Sequence, residues 1–218
     1  MGSVKETLDQ IRELGIVLVV RGKSADELMG GIQAVYEGGV RAIEITFSVA
    51  DAVSLIAKLN ERLGDKILLG AGTVMNPSDA VAAVNAGARY VVAPNTNIEV
   101  VGMAKRLGVP VMPGAYTPTE VVNAWNAGAD VVKIFPASVG GPEYIRTLKG
   151  PLPDIPLMPT GGVDMDTAAA FLDAGAFALG TGTALFDKKL LAAKDYKGLT
   201  ERAKAFVKIV KEARGKKK

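Results

Sequence analysis

A short glycine-centred pattern recurs along the chain and constrains its fold more than any other feature. It reads N-A-G-A-R at 85–89, N-A-G-A-D at 126–130 and D-A-G-A-F at 173–177. Each copy follows a helix-like stretch and precedes an apolar run. Glycine just past a helix end is the usual left-handed cap. Gly39, Gly64 and Gly108 lie in the same context, so the chain repeats a unit of strand, helix and glycine.

Eight short runs rich in Val, Ile and Leu are predicted to be strands. Nearly continuous apolar strands that alternate with helices indicate a parallel sheet. Eight such units in 218 residues predict an α/β fold with one domain, residues 1–218, folded as a (β/α)8 TIM barrel. An open doubly wound sheet is less favoured, because the turn R-G-K-S after the first strand lacks its glycine-rich fingerprint. The predicted strands are Ile16–Val20, Ala42–Phe47, Ile67–Gly70, Tyr90–Ala93, Val109–Pro113, Val131–Phe135, Leu157–Pro159 and Ala178–Gly180.

Three helix starts carry the pattern of a capping box, in which a hydroxyl and a glutamate three residues later bind each other's backbone N–H. The first of them predicts an extra N-terminal helix before the first strand. The pairs are Ser3 with Glu6, Ser24 with Glu27, and Thr117 with Glu120.

Composition excludes several classes of function. The chain has no cysteine and no histidine, which removes thiolate chemistry, Ser-His-Asp triads and histidine-based metal sites, so no metal is expected. No apolar run reaches the roughly 18 residues of a membrane span, and the N-terminus has no signal-peptide core. A cytoplasmic protein without a membrane partner is therefore expected.

The net charge of +3 comes from Lys216, Lys217 and Lys218, since 26 basic residues face 23 acidic ones along the whole chain. The rest of the chain is neutral. We expect these three residues to form a basic, disordered tail, natural or left by engineering, and we expect no nucleic-acid partner.

Two charged residues interrupt apolar strands. Glu44 lies in the second predicted strand and Lys133 in the sixth, in the run V-V-K-I-F-P. Lysine is among the residues least often buried without a partner. Side chains alternate along a strand, and even-numbered strands fill the same layers of a barrel. Glu44 and Lys133 are therefore predicted to face each other inside the barrel mouth.

A buried ion pair is the structural alternative for these two residues, but such pairs stabilise a fold little. A desolvated lysine has a depressed pKa, and its neutral amine attacks ketones to form a Schiff base. A neighbouring carboxylate then moves the protons. Lys133 and Glu44 together suffice for aldol chemistry with no cofactor other than a covalent imine on Lys133.

The last two strands end in the turns P-T-G-G-V and G-T-G-T-A. Barrels often bind phosphate at the loops after strands 7 and 8, through backbone N–H groups that glycine leaves accessible. The alternative is that these glycines only form turns. The predicted phosphate-binding residues are Thr160, Gly161, Gly162, Gly182 and Thr183.

Four more residues at the predicted strand ends are candidates for binding the substrate. Arg21 is predicted to bind a carboxylate, with a salt bridge at the rim as the alternative. Thr73 offers a hydroxyl to the substrate or caps the next helix. Pro94 and Phe135 are predicted to shape the pocket wall.

Two features have no catalytic reading. Trp125 has helical spacing with neighbouring valines and is predicted to lie in the core or in an interface. Gly30 and Gly31 fall inside a predicted helix, where each costs about 1 kcal/mol relative to alanine. That helix is either loosely optimised or a contact surface, natural or engineered.

Taken together, the motifs resemble those of the 2-keto-3-deoxy-6-phosphogluconate (KDPG) aldolase family, which overlaps with 4-hydroxy-2-oxoglutarate aldolase. The resemblance runs from about Ile11 to Phe186. It rests on E-G-G-V-R-A-I-E-I-T-F (37–47), G-A-G-T-V (70–74), M-P-G-A-Y-T-P-T-E (112–120), V-K-I-F-P-A (132–137) and P-T-G-G-V (159–163).

The resemblance implies a class I aldolase that cleaves 2-keto-3-deoxy-6-phosphogluconate, and also 4-hydroxy-2-oxoglutarate. It implies Lys133 as the imine-forming residue, Glu44 as the acid and base, and Arg21 with Thr73 near the pyruvate carboxylate. It also implies a homotrimer. Ser48 departs from the pattern, because many members have arginine there.

Two other readings remain open on the sequence alone. One is another phosphate-binding barrel enzyme, such as a sugar-phosphate epimerase. The other is a non-catalytic barrel that serves as an oligomeric scaffold, including a larger engineered assembly.

Overall fold

The computed structural model describes residues 2–215, and for Asp26 the backbone only. The three C-terminal lysines lie outside the described residues. Helices alternate with strands along most of the described chain, and a 3-10 turn at Gly64–Lys66 follows the third helix. The helices are α1 Val4–Leu14, α2 Ala25–Glu37, α3 Ala52–Leu63, α4 Pro77–Asn85, α5 Ile98–Arg106, α6 Pro118–Asn126, α7 Gly141–Lys149, α8 Ala168–Asp173, α9 Lys188–Ala192 and α10 Tyr196–Gly215.

The strands form two parallel sheets, so the predicted α/β fold with parallel strands is confirmed. The larger sheet has the order β5-β4-β3-β2-β1-β9 and the smaller one β6-β7-β8. The strands are β1 Ile16–Val20, β2 Ala42–Thr46, β3 Leu68–Gly72, β4 Val91–Val92, β5 Val111–Met112, β6 Gly114–Ala115, β7 Val132–Ile134, β8 Leu157–Pro159 and β9 Leu179–Thr181.

The predicted fifth strand, Val109–Pro113, is shorter in the structure, where β5 covers only Val111–Met112, and a second short strand, β6, begins just beyond it at Gly114. Pro113 separates β5 from β6 because proline has no backbone N–H to donate to a ladder. The Pro113 carbonyl still accepts from the Lys133 N–H at 2.9 Å. At the other end of the smaller sheet, Thr160 forms a parallel bridge with Gly180. Backbone pairing therefore extends from the smaller sheet toward both edges of the larger one.

The strands separate the apolar core into two clusters, as their alternating side chains require. Ile43 and Ile45 belong to the larger cluster, which includes the helices. Ala42, Leu68 and Met112 belong to a second cluster on the opposite face, together with Ile11 of α1. Ala42 and its neighbour Ile43 thus face opposite sides of the sheet, in agreement with the alternation from which the orientation of Glu44 was predicted. The extra N-terminal helix is also confirmed, and it packs against this inner face.

The glycines of the repeat all have positive φ angles, which confirms their predicted role at helix ends. The angles are 99° for Gly39, 46° for Gly64, 112° for Gly87, 70° for Gly108, 104° for Gly128 and 99° for Gly175.

Two of the three predicted capping boxes form. Both bonds are present at Ser3 with Glu6 and at Thr117 with Glu120. The prediction for Ser24 is wrong, because its side chain makes no cap hydrogen bond. Glu27 instead accepts from the N–H of Lys23, at 3.3 Å.

The glycines inside α2 have a packing reason. A Cβ on Gly30 would overlap the Tyr196 ring, and one on Gly31 would lie 2.7 Å from Leu191. Small residues there let α2 approach the chain's own C-terminal helices, so the contact surface is intramolecular. Trp125 is 38% exposed, so its predicted place in the core is wrong and an interface stays a prediction.

Candidate active site

The carboxyl ends of β1, β7, β8 and β9 surround a cavity of about 440 Å³. Pro94 lines a neighbouring cavity of about 560 Å³, which shares Phe135 with the first. A larger cavity of about 990 Å³, between α10 and α1, contains none of the predicted site residues. Seven of the eleven predicted residues line the first cavity: Arg21, Phe135, Thr160, Gly161, Gly162, Gly182 and Thr183.

Lys133 is buried, with 2% of its surface exposed. It sits in β7 between Gly114 and Met158 of the neighbouring strands. Its Nζ lies 5.0 Å from the centroid of the Phe135 ring. Burial lowers the pKa of Lys133, and the charge of Arg21 lowers it further, against the opposing effect of Glu44. A larger fraction of this amine is therefore neutral than for an exposed lysine.

Glu44 is buried in β2, with 1% of its surface exposed, and neither carboxylate oxygen has a hydrogen-bond partner among the described residues. A Cβ on Gly72 would overlap Glu44 Oε1. The glycine of the neighbouring strand therefore makes the space that the carboxylate occupies. Burial raises the pKa of Glu44, although Lys133 and Arg21 act in the opposite direction.

Glu44 and Lys133 lie close enough for each to influence the other's pKa, as the strand pattern predicts. They form no direct hydrogen-bonded ion pair among the described residues. The structural alternative of a tight buried ion pair therefore does not describe this site. Neither side chain lines the two cavities, but Lys133 Nζ lies 5.0 Å from the ring of Phe135, which lines both.

The two glycine-rich loops present free backbone donors to the cavity. Gly161 and Gly162 have φ angles of 83° and 78°. The Gly162 carbonyl accepts from Thr167 Oγ1 at 3.1 Å, and the Gly182 carbonyl accepts from the N–H of Leu185 at 3.0 Å. Among the described residues, the N–H groups of Gly161, Gly162 and Thr183 have no protein acceptor. Such groups are suited to bind an anion.

Two carboxylates that no motif predicted, Asp164 and Asp187, line the same cavity. Both carboxylates already accept hydrogen bonds from residues two or three positions later, where the next segment of the chain begins. Asp164 Oδ1 accepts from Thr167 N–H at 2.9 Å and from Thr167 Oγ1 at 2.8 Å. Asp187 Oδ1 accepts from the N–H of Lys189 at 2.7 Å. Because both are turn and cap residues, a D-x-x-T or D-x-K pattern alone signals only local structure.

Arg202, which no motif predicted, contacts the second glycine-rich loop. The Nε of Arg202 in α10 donates to the Ala184 carbonyl at 2.5 Å. The sequence interval of 18 residues between them gives no local signal of this contact. Arg202 therefore holds the backbone of this loop from outside the turn.

Arg21 and Thr73 have the positions predicted for strand ends. Arg21 is exposed at the cavity and forms no ion pair among the described residues, so the alternative of a rim salt bridge is wrong. Thr73 has a φ of 57°, a left-handed conformation that is uncommon for residues other than glycine and is enriched at functional sites. The alternative role of Thr73 as a helix cap is also wrong, since Asn76 caps α4.

The family model described as KDPG and KHG aldolase matches residues 8–202. The chain belongs to this family. It is 37% identical over 202 residues to the 2-dehydro-3-deoxy-6-phosphogalactonate aldolase of Escherichia coli K12, covering 92% of this chain and 97% of that protein. It is 32% identical over 211 residues to the 2-dehydro-3-deoxy-phosphogluconate aldolase of Treponema pallidum, covering 96% and 99%.

The fold of this KDPG/KHG aldolase is also similar to that of a cube-shaped, highly porous protein cage designed by fusing symmetric oligomeric domains. The TM-score is 0.85 at 35% identity, over 94% of this chain and 75% of that one. The family resemblance read from the motifs is thereby confirmed, and so is the assignment to the aldolases, which are carbon–carbon lyases. No described helix is long and apolar enough to cross a membrane.

Proposed function

We propose that the chain is a class I aldolase that reversibly cleaves 2-keto-3-deoxy-6-phosphogluconate into pyruvate and glyceraldehyde 3-phosphate. Lys133 carries this proposal, since it is a strand lysine that is 2% exposed and has a lowered pKa. A fold gains little from such a residue, whereas imine formation needs a neutral amine. The backbone pairing of the smaller sheet extends toward both edges of the larger one. This pairing supports our proposal that the strands close into an eight-unit barrel around Lys133.

In the proposed mechanism, the neutral Nζ of Lys133 attacks the C2 carbonyl, and the carbinolamine loses water to give a protonated imine. The C3–C4 bond then breaks and its electron pair moves toward the imine nitrogen, forming an enamine. Glu44 takes the proton of the C4 hydroxyl as the aldehyde leaves. It returns a proton to C3, and water releases pyruvate from Lys133.

The cavity residues fit the two charged ends of this substrate. Arg21, which is exposed at the cavity and unpaired among the described residues, is proposed to bind the C1 carboxylate, with Thr73 as a further donor. The free N–H groups of Gly161, Gly162 and Thr183 are proposed to hold the phosphate, with Thr160 and Gly182 shaping the loops. Phe135 lines both cavities and Pro94 lines the second, and we propose that both shape the substrate pocket. The mechanism uses no cofactor beyond the covalent imine.

A second candidate substrate is the phosphogalactonate epimer, because the E. coli relative that acts on it is 37% identical to this chain. The deciding experiment measures pyruvate release from both epimers, and from 4-hydroxy-2-oxoglutarate, by the wild type and by Lys133→Met. We expect the gluconate series to give the highest kcat/KM and the variant to release no pyruvate. A higher kcat/KM for the galactonate series would reassign the substrate. Release of pyruvate by Lys133→Met would refute the mechanism.

We also propose that the protein is cytoplasmic and that it forms a homotrimer, the assembly that the family resemblance implies. Large apolar side chains remain on the surface, with Ile98 and Val139 each 70% exposed, and they are candidates for subunit contacts. Sedimentation equilibrium should give three times the mass of one chain. An inactive protein that still assembles would favour the scaffold alternative.

A further inference from the structure

A buried phenol lies next to Glu44 and has no part in the mechanism above. Tyr90 directly precedes β4, and its side chain is 0% exposed in the inner cluster with Ala42 and Leu68. Its hydroxyl has no hydrogen-bond partner among the described residues. Native proteins rarely bury a hydroxyl in this way, because nothing then compensates the loss of its bonds to water.

The buried carboxylate of Glu44 also lacks hydrogen-bond partners. Only four buried side-chain atoms among the described residues lack a partner: both oxygens of Glu44, the hydroxyl of Tyr90 and Nε of Arg214. Arg214 lies at the opposite ends of the strands, in α10. The other three atoms belong to two side chains in one part of the interior, so the two groups are natural partners for each other.

Two glycines of β3 place these groups side by side. A Cβ on Gly70 would overlap Cζ of Tyr90, the atom that carries the hydroxyl, and a Cβ on Gly72 would overlap Oε1 of Glu44. Gly70 and Gly72 lie two residues apart on one face of the strand, roughly 7 Å. The Tyr90 hydroxyl and the Glu44 carboxylate thus lie over neighbouring positions of the same strand face. A hydrogen bond, made directly or through one water molecule, can connect groups at this separation.

We propose that Tyr90 is a positioning residue for Glu44, donating a hydrogen bond from its hydroxyl to the carboxylate, directly or through one water. The inference rests on the proposed function, because Tyr90 acts only through the acid and base assigned to Glu44. The bond fixes one carboxylate oxygen and leaves the other for the substrate.

The electrostatics of the site agree with this contact. Burial raises the pKa of Tyr90, and the charge of Glu44 raises it further, so the phenol keeps its proton and remains a donor. Lys133 and Arg21 are the charged groups that act on Glu44. A hydrogen bond from Tyr90 adds to their effect and favours the ionised base.

The test is Tyr90→Phe, which removes one oxygen and keeps the ring that fills the space over Gly70. NMR follows the exchange of the pyruvate methyl protons with D2O as a function of pH. We expect the acid limb of this profile to move up by about one to two pH units, the effect of losing a hydrogen bond to a charged group. The KM for pyruvate should not change. Tyr36→Phe, which removes a phenol hydroxyl at the end of α2, should leave the profile unchanged.

Two results would overturn the role of Tyr90. One is an unshifted profile in a folded Tyr90→Phe protein, checked by circular dichroism. The other is an equal loss of exchange when Tyr90→Phe is added to Glu44→Gln, since the hydroxyl would then act elsewhere. Borohydride trapping of pyruvate on the wild type separates the two claims. No adduct refutes the proposed function, whereas an adduct with an unshifted profile refutes only the role of Tyr90.

Discussion

Glu44 occupies space that Gly72 leaves open, because a Cβ at position 72 would overlap the Glu44 carboxylate oxygen. The two residues lie on the neighbouring strands β2 and β3, where Thr46 is the register partner of Gly72. The position of the proposed acid and base is thus set by the absence of a side chain on the next strand.

Gly72→Ala should displace the Glu44 carboxylate and reduce turnover by about 10² to 10⁴, the range for losing one acid–base group. Steady-state pyruvate release measures the effect. Gly102→Ala is the matched control, since the nearest atom to a Cβ there is 3.6 Å away, and it should retain full turnover. Wild-type turnover in a folded Gly72→Ala protein would show that catalysis does not require the observed position of the Glu44 carboxylate.

Glu44→Gln should reduce turnover by about 10² to 10⁴ for the same reason. Imine trapping with pyruvate should become slower without disappearing, because Lys133 remains. Proton exchange at the pyruvate methyl group gives the direct readout. Glu61→Gln, which removes an exposed carboxylate of α3, should leave exchange unchanged. If Glu44→Gln exchanges these protons at the wild-type rate, Glu44 is not the base.

Stability should also depend on pH through Glu44. Burial raises its pKa in the folded protein, so between the unfolded and folded pKa values the native state holds a proton that the unfolded chain has lost. This contribution is fully present below about pH 4, near the ordinary pKa of glutamate, and is lost as pH rises through the folded pKa. Glutamine does not titrate.

The unfolding free energy of Glu44→Gln relative to the wild type should therefore increase as pH rises from about 4. Urea denaturation at a series of pH values measures it. A difference that decreases over this range would mean that the folded pKa of Glu44 is lowered.

The strand pattern was sufficient to predict the parallel α/β fold and the burial of Lys133 and Glu44, because both follow from local alternation and apolar runs. It did not predict β6, the separate short strand at Gly114–Ala115 that follows Pro113, although the proline itself was a signal. The approach of Tyr90 to Glu44 and of Arg202 to Ala184 depends on packing between distant segments. No spacing within the sequence encodes such contacts.

The phosphate loops can be tested with Gly162→Val. Gly162 has a φ of +78°, and a Cβ there would lie 2.6 Å from Ser138, so the loop must shift and its N–H groups must move. We expect a strong rise in KM for a phosphorylated substrate and a much smaller rise for 4-hydroxy-2-oxoglutarate. Thr183→Val keeps the backbone N–H and removes only the hydroxyl, which we expect to donate one further hydrogen bond to the phosphate. This variant should weaken binding of the phosphorylated substrate by about 0.5–1.5 kcal/mol.

Gly108→Val controls for backbone strain, since its φ is +70° and a Cβ there has nothing within 4 Å. It should destabilise the fold without changing the ratio of kcat/KM for the two substrates. If the ratio of kcat/KM for the two substrates is the same in Gly162→Val as in the wild type, these loops do not bind the phosphate.

Imine formation at Lys133 is tested most directly by chemical trapping. The wild type is incubated with pyruvate and borohydride, and intact mass and peptide mapping then locate the product. A single reduced pyruvate adduct on Lys133 is expected, with none in Lys133→Met, a variant that should keep its fold because removing a buried charge relieves desolvation. No adduct, or an adduct on another lysine, would contradict the assignment of Lys133 as the imine-forming residue.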